Sequence, residues 1–213
     1  MTNDRIDLDF KSKFRIDINN FKKIEKIQSG GFGDVYKVEN KETNEHYAAK
    51  IIHFTNDYER NQQMTDREIE IMMNLQHPTI IAFIGYSLTN FEGEYGVTIF
   101  MNLAKKGSLD QLLENSKRSL AYLEYDNTKR QIILIGIARG MMFLHQRNIL
   151  HRDLKPANIL LDDNLYPLIS DFGLSTFYEK KNKSDKLEYS NLNSSNCGTP
   201  VYMAPEVILD NKF

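Results

Sequence analysis

Four polar side chains lie close together in one stretch of the chain, HRDLKPANILLDDNLYPLISDFG, which runs from His151 to Gly173. Asp153, Lys155 and Asn158 fall within six residues, and Asp171 follows a run of strand-forming residues. A carboxylate and an amide oxygen, from Asp171 and Asn158, are hard ligands of the kind Mg2+ takes, and they leave room for the oxygens of a bound phosphate. Asp153 is then left to accept or orient a hydroxyl proton, and Lys155 to balance the charge of a migrating phosphoryl group. The same residue types also suit a turn-rich loop in which Asp and Asn cap backbone amides. Against that stands the concentration of charge beside the apolar NILL and LIS runs.

Two further features point to phosphate. Gly30, Gly31 and Gly33 sit between two strand-like segments, and glycine lets backbone amides approach phosphate oxygens because it has no Cβ. An ordinary Gly-rich hairpin has the same appearance. No Gly-Lys-Ser/Thr follows, which excludes a Walker-type loop, and a strand rather than a helix comes next, which disfavours a dinucleotide site. Lys50 closes a strand candidate and Glu68 lies on the same helical stripe as Met72. Taken singly, both read as solvated surface residues.

Positioning these groups requires a small sheet and several helices. From Phe21, FKKIEKIQSGGFGDVYKVEN alternates as a hairpin does, and HYAAKIIHF, TIIAFIGYS and YGVTIFMNL add strands. TDREIEIMMNL predicts a helix opening at Thr65 or Asp66 and ending at His77-Pro78. Past Lys105 the helical period dominates, with a short helix in GSLDQLLENS and a long one opened by Asp126 or Asn127 and closed near Asn148. Asp162-Asp163-Asn164 makes the turn that folds Asp171 back toward Asn158. Residues 178–196 read as a polar loop, and residues 1–20 as an N-terminal extension that packs loosely or not at all.

The 213 residues, 41% hydrophobic and 26% charged, suit a globular chain with its own core. A net charge of −2 argues against a generally basic nucleic-acid binder. One cysteine, Cys197, excludes an internal disulfide framework, and no apolar run approaches a membrane span. The expectation is a cytoplasmic protein with neither nucleic acid nor membrane as partner.

Five motifs, GGFGDV, YAAK, HRDLKPAN, DFG and GTPVYMAPE, occur in an order and at spacings that resemble the eukaryotic protein kinases of the serine/threonine type. The NLAKKGSLDQLL stretch has a flavour of the tyrosine-kinase-like branch. The resemblance implies an α+β bilobal fold, with residues 21–104 as a small antiparallel sheet lobe carrying one helix and residues 105–213 as a helical lobe. It implies transfer of the γ-phosphoryl of ATP, with Mg2+, to a protein substrate. Asp153 resembles the catalytic base, Lys155 the γ-phosphate partner, and Asn158 and Asp171 the metal ligands. Gln28, Gly30 and Gly33 correspond to the phosphate-covering loop, and Lys50, paired with Glu68, to the phosphate anchor. Val35, Ala48 and Leu160 would enclose adenine, with Met101 as gatekeeper and Asn102, Leu103 and Ala104 as hinge. Met72, Phe83, His151 and Phe172 fall where the family's stacked spine runs, and Arg152 where a phosphorylated loop docks.

Two departures qualify this picture. Gln28 stands where the family has the first glycine of its phosphate loop. The sequence given stops at APEVILDNKF, whereas the family's helical lobe continues, so the expectation is an incomplete lobe with the apolar face of IILIGIARGMMFL uncovered. That leaves an alternative: a catalytically incompetent module that binds nucleotide or protein, with a partner protein covering the lobe.

Overall fold

The computed structural model describes residues 12–31, 33–53, 58–118, 125–178 and 198–210; most of the expected 178–196 loop, and Cys197, lie outside them. The chain forms two compact units. One comprises Met1–Leu75 with Ala82–Leu103, and the other Gln76–Ile81 with Ala104–Phe213.

The first unit is a five-stranded antiparallel sheet, β1 (Phe21–Gly30), β2 (Gly33–Asn40), β3 (His46–Ile52), β4 (Phe83–Thr89) and β5 (Tyr95–Asn102), in the order β1-β2-β3-β5-β4. Helix α1 (Tyr58–Met73) lies between β3 and β4 in the chain. Gly96 to Met101 of β5 is buried without interruption, as a strand covered on both faces must be. Helix α1 begins well before the expected Thr65. Thr65 is an interior residue whose hydroxyl donates to the Asn61 carbonyl at 2.8 Å, a back-bonding use rather than a cap. The opening YERNQQM is rich in helix formers but almost wholly polar, so no apolar period marks it.

Residues 14–20 do not pack loosely. The Ile16 amide donates to the Tyr86 carbonyl at 2.8 Å, and the Tyr86 amide donates to the Phe14 carbonyl at 2.9 Å. The Asp17 carboxylate accepts the Asn19 amide and opens a short 3-10 turn, Ile18–Asn20. The Lys41 ammonium and amide then bind the Asn19 and Asn20 carbonyls. Ile18 is buried with Phe21, Val38, Ala49 and Phe100. The segment therefore straps the sheet face opposite Lys50, as the alternation along β3 requires.

In the second unit, helix α2 (Leu109–Arg118) precedes α3 (Asn127–Gln146), whose N-cap is Asp126. The Asp126 carboxylate accepts the Lys129 amide at 2.8 Å, a cap of the expected kind. Strands β7 (Ile159–Leu161) and β8 (Pro167–Ile169) form the hairpin that precedes Asp171, and β6 (Ile149–Leu150) pairs with β9 (Thr176–Phe177). Asp162 shapes the hairpin turn by accepting the Asn164 and Tyr166 amides, both at 2.8 Å. Residues 79–81 run beside β8: the Ile169 amide donates to Thr79 and the Ile81 amide to Ile169. The imidazole of His77 stacks on Phe143, and the Arg147 guanidinium lies 3.6 Å from the centre of the same ring.

Helix α3 approaches β8 through Gly136 and Gly140. A Cβ on Gly136 would run into the Pro167 ring, and one on Gly140 would meet the Ile169 Cδ1 and Thr79 Oγ1 atoms. Its other face leaves Leu134, Ile135 and Met142 more than half exposed. Alanine is the better helix former by about 1 kcal/mol, yet Gly136→Ala is expected to destabilise the chain by about 1–3 kcal/mol through overpacking on a rigid ring. Urea unfolding measures this, and a gain in stability would contradict the packing.

Candidate active site

The Gly-rich turn joins β1 to β2. Gly30 pairs with Gly33, and Gln28 pairs with Val35. Gly33 has φ +155, and a Cβ there would collide with the Ile51 carbonyl oxygen, so only glycine fits. The base of the turn is fastened by residues the sequence reading did not single out. The Asp34 carboxylate takes the Lys26 ammonium at 2.8 Å and the Ser29 hydroxyl at 2.5 Å. Ser29 and Asp34 are cross-strand partners, so the hairpin register, once assigned, was the signal for them.

Register also gathers several predicted residues on one sheet face. Val35 pairs with Lys50, Lys50 with Ile99, and Ala48 with Met101, and directly paired residues project to the same side. Ala48 and Met101 are buried, whereas Asn102 is exposed at the end of β5. The Lys50 ammonium and the Glu68 carboxylate meet at 2.6 Å, with both side chains less than a tenth exposed. The solvated-surface alternative for these two residues is thereby removed. Desolvating two charges offsets most of their attraction, so the pair is better understood as holding a cation in place than as a source of stability.

The second unit holds the remaining residues. Lys155, Pro156, Ala157 and Asn158 lead from the loop through a 3-10 turn into β7. The buried Asp153 carboxylate is bound on both oxygens. Its Oδ1 accepts the Thr199 hydroxyl at 2.8 Å, and its Oδ2 accepts the Lys155 ammonium at 2.8 Å and the Asn158 amide nitrogen at 3.0 Å. Lys155 also donates to the Thr199 oxygen at 2.8 Å, which closes a three-membered ring of contacts. A hydroxyl donating to Asp153 within 3 Å is the geometry that proton abstraction needs.

Asn158 reveals how its amide is used. Its nitrogen is spent on the Asp153 carbonyl and carboxylate, and no donor among the described residues meets its buried Oδ1. The Asn158 carbonyl accepts both the amide and the hydroxyl of Ser170, so Asp171 emerges directly beside Asn158. Asp171 is half-buried with φ +62, a left-handed conformation that Asp tolerates better than most residues. The Asn158 amide oxygen and the Asp171 carboxylate are hard oxygen donors of the kind that fits Mg2+. Among the described residues no three His, Cys, Asp or Glu side chains form a protein-built cage, and Mg2+ in phosphoryl-transfer sites completes its shell with phosphates and water. Leu160, predicted to lie against adenine, is half-buried in β7.

His151 ties the two loops together. Its Nε2 hydrogen donates to the Ser170 carbonyl at 2.9 Å, and its Nδ1 accepts the Asp153 amide at 3.3 Å. Its ring lies 5.3 Å from that of Phe172, so these two predicted spine residues do meet. Arg152 adopts φ +64 and donates to the Leu174 carbonyl at 2.6 Å. A Cβ on Gly198 would press on the Arg152 carbonyl oxygen at 2.7 Å, so glycine lets the segment carrying Thr199 approach this closely.

Two outcomes follow. Glu68→Ala takes the paired carboxylate from a buried ammonium and is expected to cost about 3–5 kcal/mol in urea unfolding, whereas Lys50→Met with Glu68→Leu recovers most of that loss. Equal losses for the single and double variants would contradict it. Burial holds the His151 imidazole below its ordinary 6.5 against the Ser170 carbonyl and the nearby carboxylates. The unfolded chain takes up a proton near pH 6.5 that the folded chain resists, so this contribution is complete above that value and is lost as pH falls below it. His77, lowered by burial and then by Arg147 and Arg139, acts in the same direction. Stability measured from about pH 7 to about pH 5 is expected to fall less steeply in His151→Gln than in wild type. Parallel slopes would contradict this assignment.

Comparison with known proteins places the chain in a family. The protein kinase domain model matches residues 21–213. The chain is 33% identical over 198 residues to serine/threonine-protein kinase sgk-1 of Caenorhabditis elegans, covering 92% of this chain and 39% of that protein. It is 34% identical over 197 residues to serine/threonine-protein kinase polo of Drosophila melanogaster, covering 91% and 31%. It is 36% identical over 201 residues to cysteine-rich receptor-like protein kinase 46 of Arabidopsis thaliana, covering 92% and 30%. The chain thus spans about two fifths or less of the length of these relatives. With its sheet unit, its Lys50–Glu68 pair and its Asp153–Lys155–Asn158 loop, it belongs to the protein kinase family.

Proposed function

We propose that this chain carries an ATP-dependent protein serine/threonine kinase activity. The observation that bears most weight is the Asp153 carboxylate, buried, oriented by Asn158 and Lys155, and already accepting a hydroxyl at 2.8 Å. A serine or threonine oxygen of the protein substrate attacks the γ-phosphorus of ATP. The bond from that phosphorus to the β–γ bridging oxygen breaks, ADP leaves, and the hydroxyl proton passes to Asp153. Lys155 takes up charge on the transferring group, and Lys50, held by Glu68, binds the α- and β-phosphates. Gly30 and Gly33 let the turn's amides approach the phosphates, while Val35, Ala48, Met101 and Leu160 offer apolar contacts to the base. Asn158 and Asp171 are the residues that would hold Mg2+, which supplies charge neutralisation on the phosphates when bound. The exposed Leu134, Ile135 and Met142 support a second reading, a module whose α3 is covered by a partner protein and which binds nucleotide without turnover.

Labelled ATP, Mg2+ and a generic protein substrate separate the two. Phosphate is expected on serine or threonine, with a loss of about 10²–10⁴-fold in Asp153→Asn. Asp153→Asn is expected to keep the thermal shift given by Mg-ATP, and Asp171→Ala to lose both shift and transfer. A wild-type chain that shifts with Mg-ATP but transfers nothing would overturn the first reading in favour of the second.

A further inference from the structure

Among the described strands, β4 pairs with β5 on one side only, and an open strand edge is a template for another strand. Here the template is already filled from within the chain. Arg15 forms a parallel bridge to Tyr86, and the two main-chain hydrogen bonds flanking it are those of Ile16 to Tyr86 and Tyr86 to Phe14. The side chains alternate as in strand addition. The Phe14 ring lies 5.5 Å from that of Phe83, Arg15 is exposed, and Ile16 rests over Gly85. A Cβ on Gly85 would meet the Ile16 Cδ1 at 2.7 Å and crowd the Phe14 carbonyl, so the glycine provides the shelf on which the added strand lies.

We infer that the β4 edge is a strand-acceptor site for an extended aromatic-x-aliphatic segment, occupied in cis by Phe14-Arg15-Ile16 and open to a partner's segment of the same pattern. Main-chain pairing supplies affinity in this mode and alternate side-chain contacts supply specificity. The main-chain bonds to Tyr86 and the contacts of Phe14 with Phe83 and of Ile16 with Gly85 belong to the three-residue segment itself, so a strand offered in trans makes the same contacts. The cis strand's advantage is its tether, through Ile18 and the 3-10 turn to Phe21. Nothing in this inference depends on catalysis.

The test uses the full chain and a labelled synthetic peptide of residues 12–20, SKFRIDINN. A tethered strand competes at an effective concentration in the millimolar range. The peptide is therefore expected to bind full-length Phe14→Ala/Ile16→Ala at least ~10-fold more tightly than wild type. A peptide carrying the same two alanines is expected not to bind. Equal binding to both chains, or none to a double variant that still melts cooperatively, overturns the inference. If the variant does not fold, hydrogen exchange in the wild-type chain decides. A Tyr86 amide that exchanges ahead of the β3 and β5 amides supports a strand that leaves its site, and one that exchanges together with them overturns it.

Discussion

A carboxylate out of contact with water must be matched by donors, and that requirement organises the second unit around Asp153. Its two oxygens are met by Lys155 and Asn158 of its own loop and by Thr199 from a segment 46 residues further on. Satisfying one buried charge therefore fixes the loop, the start of β7 and the returning segment at Gly198 relative to one another. The amide orientation that serves Asp153 spends the Asn158 nitrogen and leaves its Oδ1 without a donor among the described residues, so the structural contact and the proposed metal contact use opposite ends of one side chain. His151 extends the arrangement by holding the Asp153 amide with one ring nitrogen and the Ser170 carbonyl, one residue before Asp171, with the other.

The first unit answers a different demand, that of keeping a cation fixed inside a thin sheet. Lys50 can be buried because Glu68 meets it. Strand β3 is held from both faces, on one by the Lys50–Glu68 pair to α1 and on the other by the strap whose Ile18 packs with Ala49 and Phe100. Ala49 is fully buried although small, so the strap must approach closely to exclude water there. The strap is thus part of the core beneath the strand that carries Lys50.

Much of this was legible in the sequence because local rules and chemistry coincided. Asp126 capped its helix, Asp162 turned its hairpin, and the β1–β2 pairing followed from alternation around the glycines. Other parts were hidden for physical reasons. The first two turns of α1 bury little, so their polar sequence carries no period, and Thr65 looked like a cap although its hydroxyl bonds backward within the helix. Phe14, Ile16 and Ile18 do alternate, but interleaved charges disguised a segment that meets the sheet through a single bridge at Arg15. The Asp34 clamp depends on register, and the Asp153–Thr199 contact joins residues 46 positions apart.

The central claim is that the ring of contacts closed by Thr199 holds Asp153 for proton transfer. Phosphate transfer by Thr199→Val and Thr199→Ser, each at saturating Mg-ATP, tests it most directly. A hydrogen bond to a charged group is worth about 1.5–3 kcal/mol, so the valine chain is expected to slow by about 10–100-fold while the serine chain stays within a few-fold of wild type. A valine chain as fast as wild type would mean that Asp153 does not depend on that hydroxyl, and the account would fail.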